Sequence, residues 1–325
     1  MQVNYYYRHQ HASSFSIENV FQTVKQSLPS TCVTRDIFAH QTFDLKFLFK
    51  INSLEADIHH ITGAINYAVF GLPPKRTILT VHDIGHLLNT LRGAKKQLYK
   101  ALFWSLPLKR VKYLTAISEF TKQQLTKELG VNHKLIRTIY NPVSSIFSST
   151  PLPQNDRPVI LQVGSGANKN IECLLSAVEG LPCKLLLVRT QNPVLIKQLN
   201  EKRIDFEFRS SLTRDELAKT YAECDLLYFA SLYEGFGLPI IEAMACGRPV
   251  ITSDIDPMKE VAGGAACLVD NRNSDQLRKS ILHLGKSKDY KMQLIEMGKQ
   301  RALDFSSEKI ANNYYELYKD VLKYV

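Results

Sequence analysis

The chain has 325 residues, 45% of them hydrophobic and 22% charged, a composition that suits a water-soluble protein of two domains with full-sized cores. No apolar run approaches bilayer length and the first residues lack the apolar core of a secretion signal, so neither a membrane span nor export is expected. The net charge of +10 lies wholly in residues 1–150, with 18 Lys and Arg against 8 Asp and Glu, whereas residues 151–325 hold 23 of each. An anionic partner is therefore expected to meet the first half. The six cysteines (Cys32, Cys173, Cys183, Cys224, Cys246, Cys267) form no C-x-x-C, which fits reduced core residues of a cytoplasmic protein rather than a zinc site.

Strand-like and helical stretches alternate along the whole chain. Residues 2–8 read as a strand and 17–28 as a helix capped by Ser16. Strands follow at 58–62, 77–82 and 113–117, then a helix at 118–130 with Ser118 as its cap and Gly130 as its stop, then a strand at 135–140. Residues 144–158 carry Ser, Pro and Asn without periodicity and read as a linker, which places a first domain at 1–150. The alternation restarts with strand 159–163, helix 171–179, strands 184–188 and 206–208, helix 213–224 capped by Thr213, and strand 225–230. Strands 249–252 and 266–269 and helices 275–284, 290–303 and 307–324 complete the chain. A second domain is placed at 151–305, with 306–325 as a helix returning to the first. Two successive α/β halves predict an α/β protein of two doubly wound domains facing across a cleft, with ligands at the C-terminal strand ends.

The most informative stretch is LYEGFGLPIIEAMACG, residues 232–247. It reads as a strand end, a tight glycine bend and the first turns of a buried helix. Pro239 suits a first helical position, and Gly235 and Gly237 allow a sharp turn with close approach of the backbone. The amides of Phe236, Gly237 and Leu238 then lie at a helix N-terminus, which is a phosphate-type anion site. Glu234 and Glu242 bracket it and would repel an anion unless they face hydroxyls. Phosphate together with hydroxyls describes a nucleotide or a sugar nucleotide. The plain alternative is a pair of exposed carboxylates complementing a helix dipole.

Taken together, several stretches resemble the retaining glycosyltransferases of family 4, which have the GT-B fold of two Rossmann-like domains. Glu234 and Glu242 match that family's E-x7-E signature, and PVITS at 249–253 and VAGGAA at 261–266 continue the pattern. Val163-Gly164-Ser165 with Lys169-Asn170 is similar to the first loop of the donor domain, and residues 213–230 to its helix and following strand. Val81-His82-Asp83 and Ala116-Ile117-Ser118-Glu119 resemble landmarks of the acceptor domain. The resemblance implies that Lys169 and the amides of Phe236, Gly237 and Leu238, beside Gly164 and Ser165, hold the donor diphosphate and stabilise the charge of the leaving nucleotide. It implies ribose hydroxyls for Glu242, hydroxyls of the transferring sugar for Glu234, and a place across the cleft for His82. It also implies retained anomeric configuration, no metal and no cofactor.

The chain departs from that pattern in places. Ser165 stands where most members carry an arginine, and Arg189, at the end of strand 184–188, is a candidate replacement for that cation. Residues 9–16 (HQHASSFS) stand where a glycine pair is usual, and Ser307 where many members have tryptophan. Nucleotide specificity is assigned to loops around residues 189–212, Arg209 among them.

Two further features need weighing. Asp254-Ile255-Asp256 spells the D-x-D of metal-dependent transferases of another fold, but after a strand it reads as a turn. Between Asp83 and Glu119 there is no acid, while Lys95, Lys96, Lys100 and four other basic residues interleave with Trp104 and several leucines. This reads either as a core helix with a solvated basic face or as a helix lying on an anionic membrane surface near a lipid-linked acceptor. No nucleic-acid module is recognisable, so nucleic acid is excluded as a partner. The expected function is transfer of one sugar from a nucleoside-diphosphate sugar to a glycan, on a lipid-linked intermediate of lipopolysaccharide, capsule or exopolysaccharide, by a cytoplasmic enzyme peripheral to the inner face of the plasma membrane. The alternatives are a nucleotide-sugar-binding protein without turnover and a sugar-nucleotide epimerase of the same fold. A dehydrogenase is disfavoured, because no G-x-G-x-x-G follows the first strand.

Overall fold

The computed structural model describes residues 1–8, 16–39 and 44–323. The chain divides into two compact units, one formed by Met1–Pro142 with Ser307–Val325 and the other by Val143–Ser306. In the first unit the elements run β1 (Gln2–Tyr7), α1 (Ser16–Gln26), β2 (Val33–Phe38), α2 (Leu45–Asn52), β3 (Ile58–Ile61), β4 (Thr77–Val81), α3 (Gly93–Lys100), α4 (Leu106–Arg110), β5 (Tyr113–Ala116), α5 (Glu119–Leu129) and β6 (Ile136–Thr138). A π-helical turn over Ala101–Ser105 joins α3 to α4. All six strands are parallel, in the order β2-β1-β3-β4-β5-β6. Every residue of β3 and β4 is buried, as expected for central parallel strands covered on both faces. Ser118 caps α5 by accepting from the Thr121 amide at 3.0 Å, and Gly130 closes it in a left-handed conformation.

The second unit runs β7 (Val159–Val163), α6 (Ile171–Val178), β8 (Lys184–Val188), α7 (Pro193–Glu201), β9 (Asp205–Arg209), α8 (Arg214–Glu223), β10 (Leu226–Phe229), α9 (Leu238–Ala245), β11 (Val250–Ser253), α10 (Met258–Ala262), β12 (Cys267–Val269), α11 (Ser274–Lys286) and α12 (Lys288–Leu303). Its sheet is also parallel throughout, in the order β12-β11-β10-β7-β8-β9. Chain direction across the sheet therefore reverses between β7 and β10. In such sheets the crevice for a ligand opens at the carboxyl ends of the two strands flanking the reversal.

The last helix, α13 (Ser307–Lys323), belongs to the first unit. Ile310, Tyr314, Leu317, Tyr318 and Val321 form its buried stripe at helical spacing. The chain thus enters the second unit at Val143 and leaves it at Ser306, where the Val143 amide donates to the Phe305 carbonyl at 2.7 Å.

The expected linker at 144–158 is therefore moved. Phe147 is buried edge-on against Tyr221, with centroids 5.7 Å apart. Arg248, 1% exposed, donates to the carbonyls of Thr150 and Pro151 at 3.0 and 2.9 Å and to the Thr150 hydroxyl at 2.7 Å. Ser and Pro here mark irregular backbone stapled to the second unit rather than a free connection. Four elements had no counterpart in the sequence reading: β2, whose VTRDIF alternates poorly because half of it is exposed, and the helices α2, α7 and α10. The expected loop at 9–15 lies outside the described residues, as does the side chain of the expected cap Ser16, whose backbone opens α1.

Candidate active site

Most of the residues singled out in the second unit gather where the topology puts a ligand, at the ends of β7 and β10, Arg209 and the D-x-D excepted. Gly237 takes φ +105°, open to glycine and strained for any other residue, and caps α9. Leu238 is the first helical residue, so Pro239 stands one place later than expected, still among the positions whose amides have no helical acceptor. Phe236 turns its ring into the core, 3% exposed and edge-on to Phe305 with centroids 5.7 Å apart, so it can offer a ligand only its backbone. The eight-residue helix that follows directs its positive dipole end at this bend.

Opposite the bend, the loop after β7 carries Gly164, Ser165 and Lys169. Lys169 Nζ lies 2.5 Å from Glu234 Oε1, with both side chains largely buried, and 4.6 Å from the centre of the Phe229 ring. Asn168 Nδ2 donates to the same carboxylate oxygen at 3.1 Å and to the Tyr233 carbonyl at 2.9 Å. The lysine and carboxylate to which the sequence assigned separate ligand groups are thus paired with each other. Gly164, at φ +106°, has a structural reason to be glycine: a Cβ there would lie 2.6 Å from Lys169 Cε. Asn170, itself left-handed, ties the two loops together by donating to the carbonyls of Ala230 and Asn271 at 3.0 and 2.6 Å.

Glu242 projects from the second turn of α9 and is partly exposed. Its carboxyl is pushed up to about 7, chiefly by burial, against the opposing effects of a hydrogen bond from Tyr221 and the charge of Arg214. The Tyr221 hydroxyl donates to Glu242 Oε2 at 2.8 Å. Asn168, Tyr221 and Arg214 are the members of this site that the sequence reading did not pick out. Tyr221 and Arg214 lay inside the 213–230 stretch that carried the family resemblance, but at helix positions whose plain reading is packing or solvation.

Arg189, at the end of β8, is buried, and one of its terminal nitrogens, Nη2, donates to the Ser165 carbonyl at 3.2 Å. Its Nε and Nη1 are buried without a partner among the described residues, and desolvation lowers its affinity for its proton. The cation therefore does reach the loop in which Ser165 replaces a charge. Arg209 does not serve as expected. Its guanidinium is taken up by Glu207 at 2.7 Å, Thr220 at 3.1 Å and Glu223 at 2.6 Å, which ties β9 to α8 and leaves it unsuited to reading a base. Asp254 pairs with Lys259 at 2.8 Å and Asp256 accepts from the Glu260 amide at 3.2 Å, so both carboxylates of the D-x-D serve the turn.

In the first unit His82 follows β4, partly buried. Its Nε2–H donates to the Thr62 carbonyl at 2.7 Å, and burial pushes its pKa down to about 4, so at neutral pH the ring is uncharged with Nδ1 as acceptor. In the basic stretch Lys95 is exposed, Lys96 half-buried, and Lys100 donates to the Glu128 carbonyl in the last turn of α5 at 2.6 Å. Trp104 is corrected from a surface residue to a core one: it is 9% exposed and packs with the cluster around Leu79, Leu114 and Leu125. The face turned to solvent is instead Leu98, Leu102 and Leu106, which are 62%, 46% and 47% exposed. A cavity of about 640 Å³, lined in part by Asp57, His59, Arg76 and Arg110, opens near the opposite, N-terminal ends of β1, β3 and β4, so it is separate from these groups.

Two doubly wound units, one with a helix N-terminus, a lysine and two carboxylates at its switch point, define a protein of the GT-B class. The family model described as Glycosyl transferases group 1 matches residues 157–287, and that described as Glycosyltransferase Family 4 matches residues 10–145. The chain belongs to the family 4 glycosyltransferases and is a glycosyltransferase. It is 26% identical over 285 residues to O-antigen chain mannosyltransferase B of Escherichia coli, covering 77% of this chain and 72% of that one. It is 31% identical over 204 residues to O-antigen chain mannosyltransferase RfbU of Salmonella typhimurium, covering 59% and 56%. The structure of Anabaena HepE in complex with UDP and glucose superposes with a TM-score of 0.80 at 16% identity, covering 98% of this chain and 99% of that one.

Proposed function

We propose that this glycosyltransferase moves a single sugar from a nucleoside-diphosphate donor to a glycan hydroxyl, with retention of anomeric configuration and without a metal. The observation that carries the reading is the Lys169–Glu234 pair set against the N-terminus of α9 at the β7/β10 switch point. The donor diphosphate would take the helix N-terminus and share Lys169 with Glu234. The helix N-terminus and Lys169 stabilise the negative charge that grows on the departing nucleoside diphosphate, the task a metal performs elsewhere. Arg189 supplies a second cation, Glu234 receives hydroxyls of the transferring sugar, and Glu242 receives those of the ribose.

The relatives named for O-antigen mannosyl transfer favour a cell-surface polysaccharide product built on a lipid-linked acceptor. No described helix is long and apolar enough to cross a membrane. The solvent-facing Leu98, Leu102 and Leu106 repeat at intervals of one helical turn, in a stretch free of acids and bearing Lys95, Lys96 and Lys109. That face suits peripheral attachment to an anionic membrane.

The test is release of nucleoside diphosphate from a panel of sugar nucleotides, with and without glycan acceptor. Wild type should turn over one donor, Glu234→Ala should lose turnover, and Arg189→Ala should bind the donor more weakly. Binding without turnover in wild type would favour a nucleotide-sugar-binding protein, and donor interconversion without acceptor an epimerase.

A further inference from the structure

Glu242 is held by a residue outside its own signature. Tyr221, fully buried in α8, places its hydroxyl 2.8 Å from Glu242 Oε2 and 3.5 Å from the Pro239 carbonyl. The phenol is fixed on several sides. Phe147 meets its ring at an interplanar angle of 88°, and Arg248 Nε donates to its backbone carbonyl at 2.9 Å. The start of α8 is set by a capping box, with the Glu216 amide 3.2 Å from the Thr213 hydroxyl and the Thr213 amide 2.7 Å from the Glu216 carboxylate. The same helix start brings Arg214 close enough for its charge to act on Glu242.

A buried tyrosine in a core needs only some acceptor for its hydroxyl, and a helix carbonyl would do. Here the better-placed acceptor is a carboxylate already assigned to ligand. A phenol occupies one carboxylate oxygen, which leaves the other for ligand hydroxyls. We propose that Tyr221 is a positioning residue for the donor nucleotide: its hydroxyl holds the Glu242 carboxylate turned to receive the two ribose hydroxyls. The inference rests on the reading of Glu242 as the ribose ligand. The bond also favours the ionised carboxyl, opposing the burial that raises it. Removing the hydroxyl should therefore both free the side chain to rotate and let it hold its proton to higher pH.

The experiment is calorimetric titration of the intact chain with UDP and with GDP, from about pH 6.5 to about pH 9, for wild type, Tyr221→Phe and Glu242→Gln. The nucleotide that binds wild type should bind more tightly as Glu242 ionises. In Tyr221→Phe that rise should move to higher pH, giving a loss of roughly tenfold near neutrality that shrinks in alkali. Glu242→Gln should be weak and flat with pH. Affinity in Tyr221→Phe equal to wild type, or reduced by one factor at every pH as a packing defect would give, overturns the positioning role. Glu242→Gln binding as well as wild type, or neither nucleotide binding wild type, overturns the ribose reading and the inference with it.

Discussion

The Tyr318 hydroxyl in α13 lies 2.8 Å from Nδ1 of His60 in β3, although 258 residues separate them. It also meets the Tyr5 hydroxyl at 2.7 Å, while His60 Nε2 continues the chain through the hydroxyls of Thr80 and Thr115 at 2.7 Å each. The end of the chain is thus fastened across β1, β3, β4 and β5 by a buried network in which each group serves its neighbour. Tyr318→Phe leaves a buried imidazole nitrogen and a phenol without this partner. The expected loss is about 1–3 kcal/mol, read as an earlier unfolding transition in urea for the first unit.

Acid should loosen the same unit. Burial lowers His59 to about 4 and His60 to about 3, against 6.5 in the unfolded chain. With folded values below unfolded ones, the contribution is complete above pH 6.5 and is lost as pH falls from there toward the folded values. The expected loss is of the order of a few kcal/mol by about pH 4. Melting followed at neutral pH and in mild acid should show it, and His60→Gln should blunt the acid response.

Gly164 is expected to tolerate no side chain. Alanine there must adopt φ +106° and would sit 2.6 Å from Lys169 Cε. Gly164→Ala should displace Lys169 from Glu234 and weaken nucleotide binding at least about tenfold, with about 1–2 kcal/mol lost from stability. Calorimetric titration and melting of the purified variant check both values.

Membrane attachment should follow the exposed leucines rather than the tryptophan. Replacing Leu98, Leu102 and Leu106 by glutamine should reduce co-sedimentation with anionic liposomes, as should neutralising Lys95 and Lys96. Attachment should weaken as salt screens the surface charge. Trp104→Phe should leave sedimentation unchanged, since the ring is in the core.

The alternation of strands and helices was legible because central parallel strands are continuous apolar runs and several helices carry their own caps. Thr213 and Ser118 each cap as their position suggests. Edge elements were less legible, since β2 packs on one side only and its residues mix accordingly. In the site, Glu234 and Glu242 could be picked out because a glycine bend between paired acids has few other reasons to stand at that spacing, whereas Lys169 and Gly164 were marked only by the family resemblance. Arg209 misled for the opposite reason: an arginine in a loop-rich stretch looks the same in a string whether it waits for phosphate or already holds Glu207 and Glu223.

Local chemistry by itself determined the class of fold, a helix start at the end of the glycine bend and the residue types gathered around it, because capping, periodicity and backbone permissiveness act over a few residues. Tertiary structure alone decided which of those groups meet. It paired Lys169 with Glu234 across 65 positions, set Tyr221 on Glu242 and buried Trp104. Such pairings depend on how parallel strands order themselves in a sheet, and that ordering is a contest among long-range packings that no short stretch of sequence contains.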